Sequence, residues 1–346
     1  MSFEHAVQHA FKAFPSVEFI HLSSEFLPPT PIDVMDYRDQ GEPNIYSCWN
    51  GVTVYDWDEH VVVKYGHRVK PAEALHMKYV AEHTSVPVPR LLGCYTVKGK
   101  EIGDDDEDAK RHTYIFMQRI VDVAPVSDIW VFLNERERRT IAHGLRTAIR
   151  SLRRLPPGPY IGSVCGRPVN SDLLENMPAE FRGPFRLEND FYTAIYEAYP
   201  YQSHRHLPSR YLIAHMLREL RSRPQRPFFF THARLDPDHI LIDLHGNVKA
   251  LVGWSWSGWF PDYWEFYESR RFFAEFDGAW GEILLETLEP FFLEPAIMWA
   301  LNALREDMHV WWSATAGPLS SSSSDTAAGV SLGGEFDLEF EDVYKK

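Results

Sequence analysis

Cysteine is scarce in this chain: 3 among 346 residues, Cys48, Cys94 and Cys165. An odd, widely spaced set excludes a disulfide-stapled secreted scaffold and has no paired metal-ligand spacing, so it fits reduced thiols inside a cell. Positive charge is also in deficit. Lys and Arg number 35 against 49 Asp and Glu, a formal net charge of −14. That balance argues against nucleic acid and against an anionic membrane surface, since both require a basic face. A small-molecule ligand or a protein partner is the expectation left. Long apolar runs are missing, and none approaches the length of a membrane span. Residues 1–15 set Phe3, Val7, Ala10, Phe11 and Phe14 on one helical face, broken by Glu4, His5, Gln8 and Lys12. This pattern predicts a docked helix and not a signal peptide, and the expected location is cytoplasmic. A G-x-G pattern is absent as well. Asn50-Gly51 alone precedes a strand pair, which gives little support for phosphates cradled by backbone amides.

What the chain has is apolar and aromatic surface: 45% hydrophobic residues and 14% aromatics, with 11 Trp and 22 Phe. This composition folds by burying rings. Alternation predicts strands at Gly51–Trp57, Val61–Tyr65 and Thr113–Met117. A helical recurrence of Ile141, Leu145, Ile149, Leu152 and Leu155 predicts a helix from about Asn134 to Leu155, its other faces rich in arginine and expected to form local ion pairs. Further helices are expected near 188–200, 208–222, 262–274 and 279–312. Residues 16–44, with Pro28, Pro29, Pro31 and Pro43, read as an extended arm. The run Glu101-Ile102-Gly103-Asp104-Asp105-Asp106-Glu107-Asp108 reads as a solvated loop between strands. Beyond Gly317 a serine run leads to Glu335-Phe336-Asp337-Leu338-Glu339-Phe340-Glu341-Asp342, a disordered acidic tail by composition and a possible protein-docking segment. The predicted organisation is a helix and arm over 1–44, one lobe over 45–120, a second over 121–316 and the tail over 317–346.

One segment carries the functional reading. Thr231-His232-Ala233-Arg234-Leu235-Asp236-Pro237-Asp238-His239-Ile240-Leu241-Ile242-Asp243, followed by Leu251-Val252-Gly253-Trp254, resembles the catalytic and metal loops of aminoglycoside phosphotransferase-like kinases. In that family the first loop reads roughly H-G-D-L-x-P-x-N-I-L-V-D and the second I-I-D-W. Gly253-Trp254-Ser255-Trp256-Ser257-Gly258-Trp259-Phe260-Pro261-Asp262-Tyr263-Trp264-Glu265 is similar to the D-W-E-x-A-G-x-x-P-x-Y-W-E string of the filamentous-fungal branch. Val61-Val62-Val63-Lys64-Tyr65-Gly66, Glu73-Ala74, Val86-Pro87-Val88-Pro89, Tyr114–Ile120 and Pro156–Val164 fall where further landmarks belong, in order, from about residue 45 to about 300. The resemblance implies an α+β, two-lobed protein-kinase-like fold, with a small antiparallel-sheet N-lobe, a mostly helical C-lobe and a cleft between them.

The resemblance also implies what has been removed. The catalytic Asp falls on Arg234, the metal-binding Asn on His239 and the second metal-binding Asp on Gly253. Phosphoryl transfer needs an orienting carboxylate and magnesium bridging the nucleotide phosphates, and magnesium wants hard oxygen ligands. Gly253 brings no side chain, His239 brings nitrogen, and a guanidinium at 234 accepts no proton and repels a cation. ATP and magnesium are therefore not expected to be used productively, and the cofactor is left open. Asp236 and Asp238 are displaced from the needed positions and are expected to serve the turn around Pro237 and surface hydrogen bonds; Asp243 is expected in a hairpin turn. Lys64 and Glu73 remain, either as a nucleotide-phosphate anchor or as an ion pair holding the lobe together.

Three functions stay open. The first is a degenerate family member whose cleft binds a small metabolite or nucleotide without transferring phosphate. The second is a repurposed biosynthetic enzyme of fungal secondary metabolism, using His232, Arg234 and His239 for cyclisation, isomerisation or hydrolysis, with Arg234 holding an anionic oxygen while a histidine moves a proton. The third is a small-molecule kinase with unorthodox metal ligands. Against the second stands the reading of His232 as a buried, hydrogen-bonded structural residue, and Trp254, Trp256, Trp259, Phe260, Tyr263 and Trp264 are expected in the core.

Overall fold

The computed structural model describes residues 2–301, apart from 42, 104–109, 175–176, 179–180 and 199–206. The acidic run beyond Gly103 and the tail expected over 317–346 lie outside the described residues.

Helix α1 (Phe3–Ala10) starts at Ser2, whose side chain accepts from the His5 amide. It is followed by strand β1 (Glu18–Leu22), helix α2 (Pro31–Gln40), strands β2 (Ile45–Trp49), β3 (Val52–Asp56) and β4 (Val61–Gly66), helix α3 (Pro71–His83), and strands β5 (Leu91–Lys98) and β6 (Arg111–Gln118). The strands form one antiparallel sheet in the order β1-β5-β6-β4-β3-β2. Alternation sorts the two faces. Val63, Tyr65, Tyr114 and Phe116 pack with Val7, Phe11, Phe14 and Val34 on one side. Ile115 and Met117 pack with Ala74, Met77 and Val80 of α3 on the other.

The segment expected as an extended arm is therefore more ordered than its prolines suggested. It contributes the sheet's edge strand β1 and helix α2, which Thr30 and Asp33 close with a capping box and Pro31 opens at its first turn. Proline here initiates a helix, a role composition does not separate from that of a breaker.

The second, mostly helical part holds β7 (Ala124–Pro125), α4 (Val126–Ile129), α5 (Glu135–Arg153), α6 (Glu188–Ala198), α7 (Leu207–Arg221), strands β8 (Phe228–Thr231), β9 (Ile240–Ile242), β10 (Val248–Leu251) and β11 (Gly258–Pro261), and helices α8 (Trp264–Ser269) and α9 (Ala279–Thr287). Asn134 and Glu137 make the capping box that starts α5, and Ile141, Leu145, Ile149, Leu152 and Leu155 are buried as the spacing requires. The arginines of α5 reach further than local pairing. Arg139 pairs with Glu135, but Arg138 lies over the Trp130 ring at 4.3 Å and Arg146 donates to the Glu286 carbonyl at 2.6 and 2.9 Å. The helix expected over 262–274 is broken into α8 and a 3-10 turn, and that expected from 279 stops at Thr287 and resumes at 293. Pro290 in the gap cannot supply an amide to a continuous helix.

Candidate functional site in the loop between β8 and β9

β8 ends at Thr231, and the chain then turns through Ala233 with φ +64, a left-handed conformation that costs an L-residue with a β-carbon. Glu265, at the start of α8, holds this bend. Its carboxylate accepts from the amides of His232 and Ala233 at 2.8 Å each. Glu265 is 2% exposed, and burial pushes its carboxyl above the ordinary value, against the pull of Arg153 and the two amides.

His232 is completely buried. Its Nε2 lies 3.0 Å from the Val252 carbonyl and its Nδ1 accepts the Arg234 amide at 3.2 Å, which fixes the tautomer with the proton on Nε2. Burial, with the neighbouring His239, lowers its pKa to about 3. Both ring nitrogens are used and the ring stays neutral. The proton-moving role weighed for His232 is not supported, and its task is to tie the 232–234 bend to β10.

Arg234 and His239 meet on Asp236. The Arg234 Nε donates to Asp236 Oδ2 at 3.0 Å, and His239 Nδ1 is 2.7 Å from Asp236 Oδ1. Asp236 also caps the 3-10 turn Pro237–His239 by accepting the His239 amide at 3.0 Å. The expected turn role holds, but the expected surface position does not: Asp236 is 4% exposed. Burial raises its carboxyl pKa, and the bonds from His239 and Arg234 outweigh this, leaving it below the ordinary value. Arg234 keeps 42% of its side chain exposed and His239 keeps 24%. Asp243 sits in the β9–β10 hairpin and accepts from the amides of His245 and Asn247, as its composition predicted.

Gly253 has φ +80 and faces His239. A β-carbon on residue 253 would stand 2.3 Å from His239 Cδ2 and 2.6 Å from Nε2. The imidazole thus fills the volume that a carboxylate on 253 would need. The two positions assigned to metal binding by resemblance are brought together, and what joins them is a ring packed on a bare α-carbon.

In the sheet, Lys64 of β4 points to α3 and its Nζ lies 2.7 Å from Glu73 Oε1, with Glu73 2% exposed. Glu73 Oε2 has no hydrogen-bond partner among the described residues. No hydrogen bond or ion pair among the described residues joins this pair to Arg234, Asp236 or His239. The β2–β3 turn is packed down on its own sheet: a β-carbon on Gly51 would meet the His67 ring at 2.2 Å, one on Gly66 would meet the Gly51 carbonyl oxygen at 2.0 Å, and the Arg68 amide donates to that oxygen at 3.3 Å. Gly51 at φ +73 and Asn50 at φ +51 make the tight hairpin turn. The residues present do not fit magnesium and nucleotide phosphates: the loop presents a guanidinium and an imidazole nitrogen, where magnesium takes hard oxygen donors.

His76 had no signal in the sequence beyond its place on α3. It is fully buried, its Nδ1 donating to the Trp254 carbonyl at 2.7 Å and its Nε2 accepting from Ser163 Oγ at 2.7 Å. It ties the α3 that carries Glu73 to the loop that follows Gly253. Burial lowers its pKa to about 4. Of the aromatic group expected in the core, Trp254, Trp259, Phe260, Tyr263 and Trp264 are buried and Trp256 is partly so.

Among the described residues no group of three or more His, Cys, Asp or Glu side chains is disposed to hold a metal ion. No helix among them is long and apolar enough to cross a membrane. No protein-family model and no curated protein matches the chain. Solved structures do. A GDP and kanamycin complex of APH(2")-IIIa shares 14% identity over 82% of this chain and 95% of that one, with a TM-score of 0.50. The GDP complex of wild-type aminoglycoside 2'-phosphotransferase-IIIa gives 13% identity over 82% and 94%, with the same TM-score of 0.50. At that identity the likeness is one of fold: the chain has the two-lobed, α+β, kinase-like fold of the aminoglycoside phosphotransferases.

Proposed function

We propose that this protein is a non-phosphorylating member of the aminoglycoside phosphotransferase-like group, which binds a small anionic metabolite at the loop between β8 and β9. The observation that carries the reading is the Arg234–Asp236–His239 cluster closed over Gly253. A guanidinium paired to a buried carboxylate, with nearly half its surface open, is suited to hold a carboxylate, enolate or phosphate oxygen. The same cluster offers a divalent cation a single buried carboxylate, already engaged by Arg234 and the His239 amide. The negative net charge of −14 favours a small molecule over nucleic acid or an anionic membrane.

A calorimetric titration with ATP, with and without magnesium, tests this. The expected result is no magnesium-dependent strengthening and no transfer of the γ-phosphate to water or to an aminoglycoside. Affinity that rises with magnesium would overturn the reading and restore a kinase with unorthodox ligands. The triple variant R234D/H239N/G253D separates two causes: a gain of magnesium-dependent nucleotide binding would mean that only the loop had been lost, and no gain would mean that the nucleotide pocket had gone too.

A second reading rests on the His239–Asp236 contact at 2.7 Å. The approach is close but is not a hydrogen bond, since Nδ1 has no hydrogen-bond partner among the described residues; a small rotation of the ring would let the carboxylate orient it as a general base, and beside Arg234 it would suit an acid–base step of fungal secondary metabolism, such as cyclisation, isomerisation or hydrolysis. His239→Gln would then abolish turnover while leaving anion binding at Arg234 in place; equal loss of both would return the cluster to a purely binding role.

A further inference from the structure

Next to the bend that Glu265 holds, α5, α8, α9 and the chain after α9 line a cavity of about 490 Å³ that includes Arg153, Glu265, Phe266 and Leu288 in its lining. Its charges are unequally engaged. Glu265 accepts one amide on each carboxylate oxygen, from His232 and Ala233, and also offsets the charge of Arg153. Asp262 is paired with Arg226 at 3.2 Å. Arg146 is held by the Glu286 carbonyl. Arg153 donates through Nη2 to the Asp262 carbonyl at 2.8 Å and lies over the Phe229 ring at 5.1 Å. Its Nη1, with less than 1 Å² of exposed surface, has no hydrogen-bond partner among the described residues. A buried guanidinium donor left unpaired costs on the order of 1–3 kcal/mol; the lining therefore holds an unmet donor at Arg153, beside an acceptor at Asp262 Oδ1 that also has no hydrogen-bond partner among the described residues.

We propose that this cavity is a second ligand site, and that it takes a small monocarboxylate with an apolar body. The carboxylate meets Arg153, with the exposed Arg150 completing a two-point clamp. The body lies among Phe229, Phe266, Phe291 and Leu288. Glu286 and Glu289, both exposed at the rim, repel a second or third negative charge, which selects against nucleotides and polyphosphates. Through Glu265 the site shares a wall with the bend at His232 and Ala233, while Arg234, Asp236 and His239 are not in its lining.

The test uses the full chain and two probes, 3-phenylpropanoate and hexanoate, titrated calorimetrically beside 3-phenylpropanamide and ADP. Saturable binding of either acid, at least tenfold tighter than the amide and ADP and weakened at least tenfold by Arg153→Met, is expected. Should R153M not fold, Arg150→Glu, at an exposed position, is expected to give a like weakening. No saturable binding of either acid, amide binding as tight as the acid, or affinity unchanged in R150E would overturn the proposal.

Discussion

The His239 ring lies on the α-carbon of Gly253, so close that a β-carbon there would come within 2.3 Å of Cδ2. Two residues that look independent along the chain form a single packing arrangement, since a larger side chain at 253 would clash with the ring and a smaller one at 239 would leave a void.

Gly253→Asp alone is therefore expected to destabilise by roughly 1–3 kcal/mol, the usual cost of overpacking, with added strain from φ +80. In the double variant H239N/G253D the clash is relieved, and more than about 1 kcal/mol of the loss should return as a coupling energy. Chemical denaturation of the two single variants and the double checks this; additive losses would mean that the ring moves aside without cost.

Acid should unfold this protein through its buried histidines. His76 and His232 have pKa values lowered from 6.5 to about 4 and about 3, so above pH 6.5 both are neutral folded or unfolded and their contribution is complete. As pH falls below 6.5 only the unfolded chain takes up protons, and stability declines by about 1.4 kcal/mol per pH unit for each histidine, levelling near pH 4 for His76 and near pH 3 for His232. The slope of stability against pH between 6 and 4.5 should fall by about 1.4 kcal/mol per pH unit in His76→Gln; an unchanged slope would mean that His76 is not the group being protonated.

Asp236 compensates two cationic or polar partners from a buried position. Asp236→Ala is expected to cost roughly 3–5 kcal/mol, as for removal of one member of a buried charge pair, and Arg234→Gln, at a half-exposed partner, under about 1 kcal/mol. Urea midpoints of the two variants give the comparison. Equal costs would show that the loop is held by Glu265 alone.

The Lys64–Glu73 pair can be read the same way. Lys64→Met leaves the carboxylate of Glu73 buried and unpaired, for about 3 kcal/mol, and K64M/E73Q should be less damaged than K64M because the uncompensated charge is gone. If instead the double variant is worse, Glu73 has another partner in solution and the pair is not a closed structural unit.

How far the sequence reached depends on the range of the interaction concerned. Alternation in Val61–Tyr65 and Thr113–Met117 and the helical recurrence in α5 are local, so these elements were legible, as was the hairpin at Asp243; the left-handed bends at Gly51 and Gly253 were not. The edge strand β1 was not, because a lone strand is defined by its pairing with β5, about 75 residues away. Glu265 closed a recognisable string but gave no hint that it reaches back 33 and 32 residues to two amides. His76 was one helical histidine among 16 in the chain.

The sequence by itself determined that the chain presents a guanidinium at Arg234, an imidazole at His239 and a bare α-carbon at Gly253; residue identity alone sets which atoms a position can offer. Only the tertiary structure decided that the imidazole packs on the glycine, that Asp236 is buried between its two partners, that His232 is neutral and fully engaged, and that Arg153 is left with an unmet donor. Those facts depend on which side chains exclude water from one another, and desolvation is a property of the assembled fold.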